Sequence, residues 1–228
     1  MADTSTAAGA GTGSAEQYWE AFYQERDSVW SGRPNRLLVR EVAALPPGSA
    51  LDLGCGEGAD AVWLAEQGWQ VTAVDISATA LRRAAGRAAD AGLAGRIDWQ
   101  RHDLARSFPA GRFDLVSAQY LHSPVAPADE RASILRRAAE AVAPGGILLV
   151  VGHASGPSWH AGPPVRFPTN AEVLAALALA PEQWQIETDE VVTSALTAPD
   201  GRPGTRADSI LKLRRTHPTA SAGSRTRS

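Results

Sequence analysis

A short apolar segment that ends in three closely spaced glycines, residues 50–58, constrains the fold of this chain more than any other feature. Leu51 and Leu53 flank Asp52, which is the pattern of a short buried strand. Gly54 and Gly56 then permit positive φ angles and allow a ligand to approach the main chain closely. The segment therefore predicts a strand, a tight turn and a helix, with a ligand-binding site at the turn.

Apolar runs alternate with helical patterns along the rest of the chain, which predicts an α/β fold with a mostly parallel sheet and helices on both faces. Two further strands can close the sheet as a hairpin around Pro199-Asp200-Gly201. Ser77 and Asn170 are the expected N-caps of two of the helices. The expected strands cover residues 50–53, 70–74, 97–100, 113–118, 147–152, 185–192 and 209–214, and the expected helices cover residues 60–67, 78–91, 129–142 and 171–178.

The segment before the sheet is rich in aromatic side chains. Ser14 and Gln17 form a capping box for an aromatic first helix, and a second helix is expected over about residues 36–44. Trp30 lies between them on a loop that contains glycine and proline. An aromatic helical stripe of this kind often covers a core. We nevertheless expect residues 14–48 to form a helical lid over the site, with Trp30 at its mouth.

Two classes of ligand fit the glycine turn. Gly54, Gly56 and Ala59 match a variant of the dinucleotide fingerprint, in which a pyrophosphate lies at a helix N-terminus, so a nicotinamide oxidoreductase is one interpretation. However, Asp52 and Glu57 would place negative charge beside that pyrophosphate. The two carboxylates therefore favour a cationic, nucleotide-like ligand.

The run Asp52-Leu53-Gly54-Cys55-Gly56-Glu57-Gly58 resembles the first motif of the class I S-adenosylmethionine-dependent methyltransferases. The resemblance implies a Rossmann-like fold with a mostly parallel seven-stranded sheet, helices on both faces and an antiparallel last strand. It also implies S-adenosyl-L-methionine as cofactor and S-adenosyl-L-homocysteine as product. This cofactor carries an ammonium and a sulfonium and has no phosphate, which agrees with the acidic turn.

The contacts expected for this cofactor come from several strand ends. Asp75 ends the second strand about 20 residues after the turn, where a carboxylate can accept the ribose hydroxyls. The resemblance places Asp52 at the methionine end and Asp103 at the adenine amine, while Ile76 and Leu104 could sandwich the ring or serve as core. The predicted cofactor-binding residues are Asp52, Gly54, Cys55, Gly56, Asp75, Ile76, Asp103, Leu104, Gln119 and Trp30.

The acceptor is expected at the carboxyl edge of the sheet, beyond the fourth and fifth strands. His122 and His153 follow these strands and are the predicted catalytic residues, because a histidine with a pKa near 6.5 can act as a general base. The alternative at each of these two positions is a histidine that has only a structural role. We predict no metal site, since His153 and His160 lack a third ligand at a recognisable spacing.

Composition limits the other function classes. A net charge of −3 gives no general attraction to nucleic acid or to an anionic membrane, and a single cysteine excludes an internal disulfide. No apolar segment is long enough to span a bilayer, so we expect a cytoplasmic protein. Residues 49–216 are expected to form the methyltransferase domain, with disordered tails at residues 1–13 and 217–228.

The prediction for function is methyl transfer to a small-molecule acceptor, with neither nucleic acid nor membrane as partner. The opening aromatic segment is similar to that of the small thiopurine, tellurite and halide/thiol methyltransferases, which favours a thiol or another soft nucleophile. The run of Asn or Asp followed by two prolines and an aromatic, found in many enzymes that methylate bases, does not follow the fourth strand. An O- or N-methyltransferase of secondary metabolism and a non-catalytic cofactor-binding domain are the alternatives.

Overall fold

A seven-stranded sheet forms the centre of the computed structural model, which describes residues 14–159 and 165–217. The strand order is β3-β2-β1-β4-β5-β7-β6, with β7 antiparallel to β5 and β6 and the other pairs parallel. The predicted α/β sheet with an antiparallel last strand is therefore confirmed. The strands are β1 Ser49–Leu53, β2 Gln70–Asp75, β3 Ile97–Arg101, β4 Phe113–Gln119, β5 Val142–His153, β6 Trp184–Thr197 and β7 Pro203–Arg215. His160 and the predicted tails, except for His217, lie outside the described residues.

The helices agree with the predicted pattern, with two corrections at their ends. Asn170 is not the cap of its helix, because Thr169 and Glu172 form the capping box there and the Asn170 amide is buried against Asp189 and Ile210. The helix predicted at residues 129–142 ends at Glu140, since β5 already begins at Val142. The helices are α1 Ala15–Gln24, α2 Arg36–Val42, α3 Ala59–Glu66, α4 Ala78–Asp90, α5 Glu130–Glu140 and α6 Asn170–Leu177.

Both faces of the sheet are covered, which explains why the central strands are apolar at nearly every position. Leu51, Leu148 and Leu211 are fully buried on the face that carries α5 and α6. Leu115 and Leu149 are fully buried on the opposite face, in the cluster that includes side chains of α2, α3 and α4. The core thus consists of two apolar layers, and the polar side chains that could bind a ligand lie at the ends of the strands.

The parallel strands bring their carboxyl ends to one edge of the sheet. Leu53 at the end of β1 is paired with Val74 of β2 and with Ala118 of β4. Gln119 at the end of β4 is paired with Val151 of β5. The glycine turn and the residues that follow β2, β4 and β5 therefore lie along the same edge, where open α/β sheets bind ligands.

Two carboxylates, the buried Glu57 and the half-buried Glu20, hold the N-terminal segment against this edge. Glu57, which is 1% exposed, accepts hydrogen bonds from the backbone N–H groups of Val29 and Trp30 and pairs with Arg83 at 3.0 Å and Arg87 at 3.4 Å. Glu20 of α1 accepts from Ser77 and Thr79 at the N-terminus of α4. Burial acts against the charge of Glu20, yet hydrogen bonds from Thr79 and Ser77 lower its pKa to about 2.

We predict that Glu57→Gln destabilises the protein by about 2–3 kcal/mol. Loss of one partner from a fully buried ion pair costs about 3–5 kcal/mol, and water at the partly exposed arginines reduces this figure. Urea unfolding followed by fluorescence measures the change. Glu25→Gln is the matched control, because the one ion pair of Glu25 within the described ranges is with the exposed Arg26. Equal unfolding midpoints for the two variants would contradict the assigned role of Glu57.

Candidate active site

The glycine turn is closely covered by side chains from other parts of the chain. Gly54 and Gly56 have φ angles of +68° and +53°, which disfavour other residues. A Cβ at Gly54 would lie 2.8 Å from the Leu121 side chain. A Cβ at Gly56 would lie 2.8 Å from the Tyr23 hydroxyl and 3.2 Å from the Trp30 indole nitrogen. The turn is therefore built for close approach to the main chain, and the N-terminal aromatics lie directly over it.

Asp75 fixes the turn to the end of β2. One carboxylate oxygen accepts the backbone N–H of Gly56 at 2.9 Å, and the other accepts the N–H of Ser77 at 2.9 Å. The hydroxyl of Ser77 caps α4, as the sequence predicts, so Asp75 is not needed as a cap. Each carboxylate oxygen has a further lone pair, and the group can also accept ligand hydroxyls.

Asp52 and Asp60 add two more carboxylates beside Asp75. Asp52 is 2% exposed, and its Oδ2 atom has no hydrogen-bond partner among the described residues. Asp60 accepts the backbone N–H of Asn35 at 2.6 Å. Burial raises the pKa of Asp60 to about 6, and burial together with the charges of Asp60 and Asp75 raises the pKa of Asp52 well above its usual range. Within the described part of the chain, none of the three pairs with a lysine or arginine.

These carboxylates fit a ligand with positive charge and disfavour one with a pyrophosphate. The charge argument from the sequence used Asp52 and Glu57. Arg83 and Arg87 already balance the charge of Glu57, whereas Oδ2 of Asp52 has no hydrogen-bond partner among the described residues. Asp60 is the further carboxylate beside Asp52, and no sequence signal pointed to it, since an acidic residue in the first turn of a helix is also explained by the helix dipole.

The other predicted cofactor residues are distributed along the same edge. Cys55 donates its backbone N–H to Val74, and Ile76 is half-buried after β2. Asp103 accepts from the N–H of Ala105 and lies 3.5 Å from Arg106, in a half-buried loop after β3. Leu104 is buried in the core cluster of α5. The roles of these residues toward adenine stay predictions.

A series of hydrogen bonds connects the N-terminal segment to the start of α3 and to the end of β4. Asn35 caps α2, donates its backbone N–H to Asp60 and donates its amide to Gln119 at 2.8 Å. Gln119 in turn donates to Ser117 at 3.0 Å. Asn35 was missed by the sequence analysis, because a residue between a proline and a helix is adequately explained as a cap.

His153 and His122 come together beyond β4 and β5, with their ring centroids 5.9 Å apart. The His153 ring also lies 4.4 Å from Tyr120 and 5.5 Å from Phe167. Its Nδ1 atom is 3.0 Å from Oδ1 of Asp208, a buried residue of β7. The sequence analysis missed Asp208, although an aspartate beside the apolar run of β7 was a usable signal.

The fold is the Rossmann-like fold of the class I methyltransferases. The solved structure of the N-methyltransferase NodS from Bradyrhizobium japonicum WM9, in complex with S-adenosyl-L-homocysteine, has the same fold, with a TM-score of 0.63 at 17% identity over 89% of this chain and 99% of that chain. The family described as Methyltransferase domain matches residues 50–146. Residues 50–146 are therefore a methyltransferase domain with the class I fold, and this match supports S-adenosylmethionine as the cofactor.

Three relatives show how varied the acceptors of similar proteins are. Ribosomal RNA small subunit methyltransferase C of Alcanivorax borkumensis is 36% identical over 46% of this chain and 32% of its own length. The probable thiol methyltransferase 2 of Arabidopsis thaliana is 32% identical over 43% and 45%. The nocamycin O-methyltransferase of Saccharothrix syringae is 32% identical over 77% and 61%. The matches thus span between about a third and three-fifths of these relatives.

The described residues contain no group of three or more His, Cys, Asp or Glu side chains placed to hold a metal ion. No helix in the described ranges is both long and apolar enough to cross a membrane.

We predict that the affinity for S-adenosylmethionine rises between pH 5 and 7. The ionisation of Asp60 contributes about tenfold to this rise, because a carboxyl with a pKa of about 6 ionises over this interval. Because the native pKa is raised, the protonated carboxyl stabilises the ligand-free protein at low pH, and this contribution is lost as the pH rises through 6. Calorimetry at pH 5, 6 and 7 measures the affinity.

Asp60→Asn should reduce this pH dependence, while Asp90→Asn, at an exposed position in α4, should keep all of it. An unaltered pH dependence in Asp60→Asn would show that Asp60 does not face the bound cation.

Proposed function

We propose that this protein transfers the methyl group of S-adenosylmethionine to a small-molecule acceptor. The observation that carries the proposal is the group of three acidic side chains at the glycine turn, the buried Asp52 and Asp75 and the half-buried Asp60, with an unsatisfied oxygen on Asp52. A buried carboxylate without a partner is costly, and a cationic ligand removes that cost. The cofactor supplies such a cation, together with a methyl group on a sulfonium that a nucleophile can attack.

The proposal assigns each of these residues a contact with one part of the cofactor. Asp75 accepts the ribose hydroxyls with the lone pairs that Gly56 and Ser77 leave free. Asp52 lies under the methionine end and receives its charged groups directly or through water. The backbone of Gly54, Cys55 and Gly56 packs against the ligand, Gln119 borders the methionine and acceptor sides, and Asp103, Ile76 and Leu104 surround adenine.

The N-terminal segment acts as a lid in this proposal. Trp30 donates its indole N–H to the Tyr23 hydroxyl at 3.2 Å, and both groups lie over Gly56. An aromatic ring at this position can exclude water and contact a sulfonium through a cation–π interaction. Since Glu57 holds the backbone of Trp30, the position of the lid depends on the turn that it covers.

The proposed acceptor side is lined by aromatic rings and two histidines, which suits a small molecule better than a nucleic acid. A net charge of −3 also provides no broad basic surface for RNA. The names of the relatives include an O-methyltransferase, a thiol methyltransferase and a ribosomal RNA methyltransferase, so oxygen, sulfur and RNA acceptors all belong in the test.

The test measures the release of S-adenosylhomocysteine with thiols, phenols, amines, thiopurines, tellurite, halides and ribosomal RNA as acceptors. We expect turnover with at least one small molecule and none with RNA. Binding without any turnover would instead favour the non-catalytic alternative. Preferential binding of NADH in a parallel titration would favour the oxidoreductase interpretation.

Asp75→Ala should weaken cofactor binding by about 1.5–3 kcal/mol for each charge-assisted hydrogen bond that is lost. Calorimetry gives the affinity, and circular dichroism checks that the variant remains folded. Asp98→Ala, on the exposed part of β3, is the control. Wild-type affinity in a folded Asp75→Ala protein would reject the proposed ribose contact.

A further inference from the structure

A histidine and a buried carboxylate face each other where β5 and β7 pair. His153 and Asp208 are direct cross-strand partners in the antiparallel ladder. Asp208 is 2% exposed, and its Oδ1 atom lies 3.0 Å from Nδ1 of His153. Cross-strand neighbours have nearly fixed separations, so the strand pairing itself holds the two side chains together.

Asp208 is kept in its charged form by its surroundings. Burial acts against the charge, but the hydrogen bond with His153 and the guanidinium of Arg206 lower the pKa of Asp208 overall. The Arg206 Nε atom lies 3.2 Å from Oδ1 of Asp208. An ionised carboxylate can only accept a hydrogen bond, so the neutral His153 ring carries its proton on Nδ1. The lone pair of Nε2 is then available on the opposite side of the ring.

The walls around this ring come from several elements. Tyr120 after β4 and Phe167 before α6 provide the aromatic contacts. The titratable or charged groups that face His153 are Tyr120, His122, Asp208 and Arg206, with Arg131 of α5 bonded to the carbonyl of Leu121 nearby. In the described part of the chain, Asp208 is the only carboxylate paired with a histidine. His122 has no such carboxylate partner and is exposed.

We propose that His153 is the general base of this site, that Asp208 is its positioning residue, and that the acceptor is a planar aromatic hydroxyl compound that arrives un-ionised. The proposal rests on the proposed methyl transfer and deepens it. The aromatic walls select a flat ring, and the unprotonated Nε2 selects an acceptor with a proton to lose.

Methyl transfer to the hydroxyl oxygen requires no reactant other than the acceptor and the cofactor. The acceptor oxygen attacks the methyl carbon, so that an O–CH₃ bond forms and the S–CH₃ bond breaks with its electron pair left on sulfur. The hydroxyl proton passes to Nε2 of His153 and later leaves to solvent. A thiol that is already ionised would need no base, and the pair of His153 and Asp208 would then contribute little.

The first experiment reads the His153 tautomer directly, in the full-length protein loaded with S-adenosylhomocysteine. Nitrogen-15 NMR distinguishes Nδ1–H from Nε2–H, and His153→Gln identifies the signal among the five histidines. We expect the Nδ1–H form in the wild-type protein. Asp208→Asn should raise the population of Nε2–H, because the amide can donate as well as accept, and Asp208→Glu should restore Nδ1–H. An Nε2–H ring in the wild type would overturn the proposal.

The second experiment compares 2-naphthol with 2-naphthalenethiol, which share a shape and differ in acidity. His153→Gln should lower kcat for the naphthol by about 10²–10⁴-fold with little change in KM, and leave methylation of the ionised thiol nearly intact. The rate of the variant with naphthol should recover as the pH rises and the naphthol ionises in solution. The thiol reaction also reports whether the variant still folds and binds its cofactor.

Three results would contradict the proposal. Equal loss of both reactions would assign His153 a structural role, and a naphthol-specific loss in His122→Gln but not in His153→Gln would assign the base to His122. Turnover of other acceptors without any turnover of naphthol would reject the aromatic hydroxyl class. A wild-type protein that does not bind S-adenosylmethionine would instead overturn the proposed function itself.

Discussion

Uncompensated negative charge at the end of β1 is the constraint on which the site depends. Asp52, Asp60 and Asp75 lie together at the glycine turn without a basic partner in the described chain, whereas Glu57, a few residues away, is fully satisfied by arginines and backbone N–H groups. Asp52, Asp75 and Glu57 are all buried, but only Glu57 has basic partners through which it stabilises the fold. The unsatisfied group costs stability in the free protein, and that cost is recovered when a cation binds.

The N-terminal segment and the turn form a single unit. Glu57 fixes the backbone at Trp30, Asp60 fixes it at Asn35, and Tyr23 and Trp30 lie over Gly56. The turn and the first residues of α3 therefore hold the N-terminal segment beside the proposed ligand site. Any displacement of this segment changes the surroundings of Asp60, so the position of the segment and binding at the proposed site are coupled through hydrogen bonds that the fold already contains.

The sequence predicted the parts of this structure that are encoded locally. The β1 turn, the order of strands and helices, and the Ser14 and Ser77 caps follow from short-range patterns, and the structure contains all of them. Contacts between distant segments were not predictable. The balance of Glu57 by Arg83 and Arg87 and the approach of Asp208 to His153 depend on helix and strand positions that no local pattern specifies.

The antiparallel pairing of β5 and β7 has a consequence for how this chain can change in length. The hairpin tip, where Ala198 and Arg202 are hydrogen-bonded, can gain or lose residues without altering which side chain lies opposite His153. A single insertion between Ser209 and Leu211 would place Ser209 at that position and turn the carboxylate to the other face of the sheet. Length variation is therefore tolerated at one end of the hairpin, while strand register at the other end determines whether the histidine keeps its carboxylate.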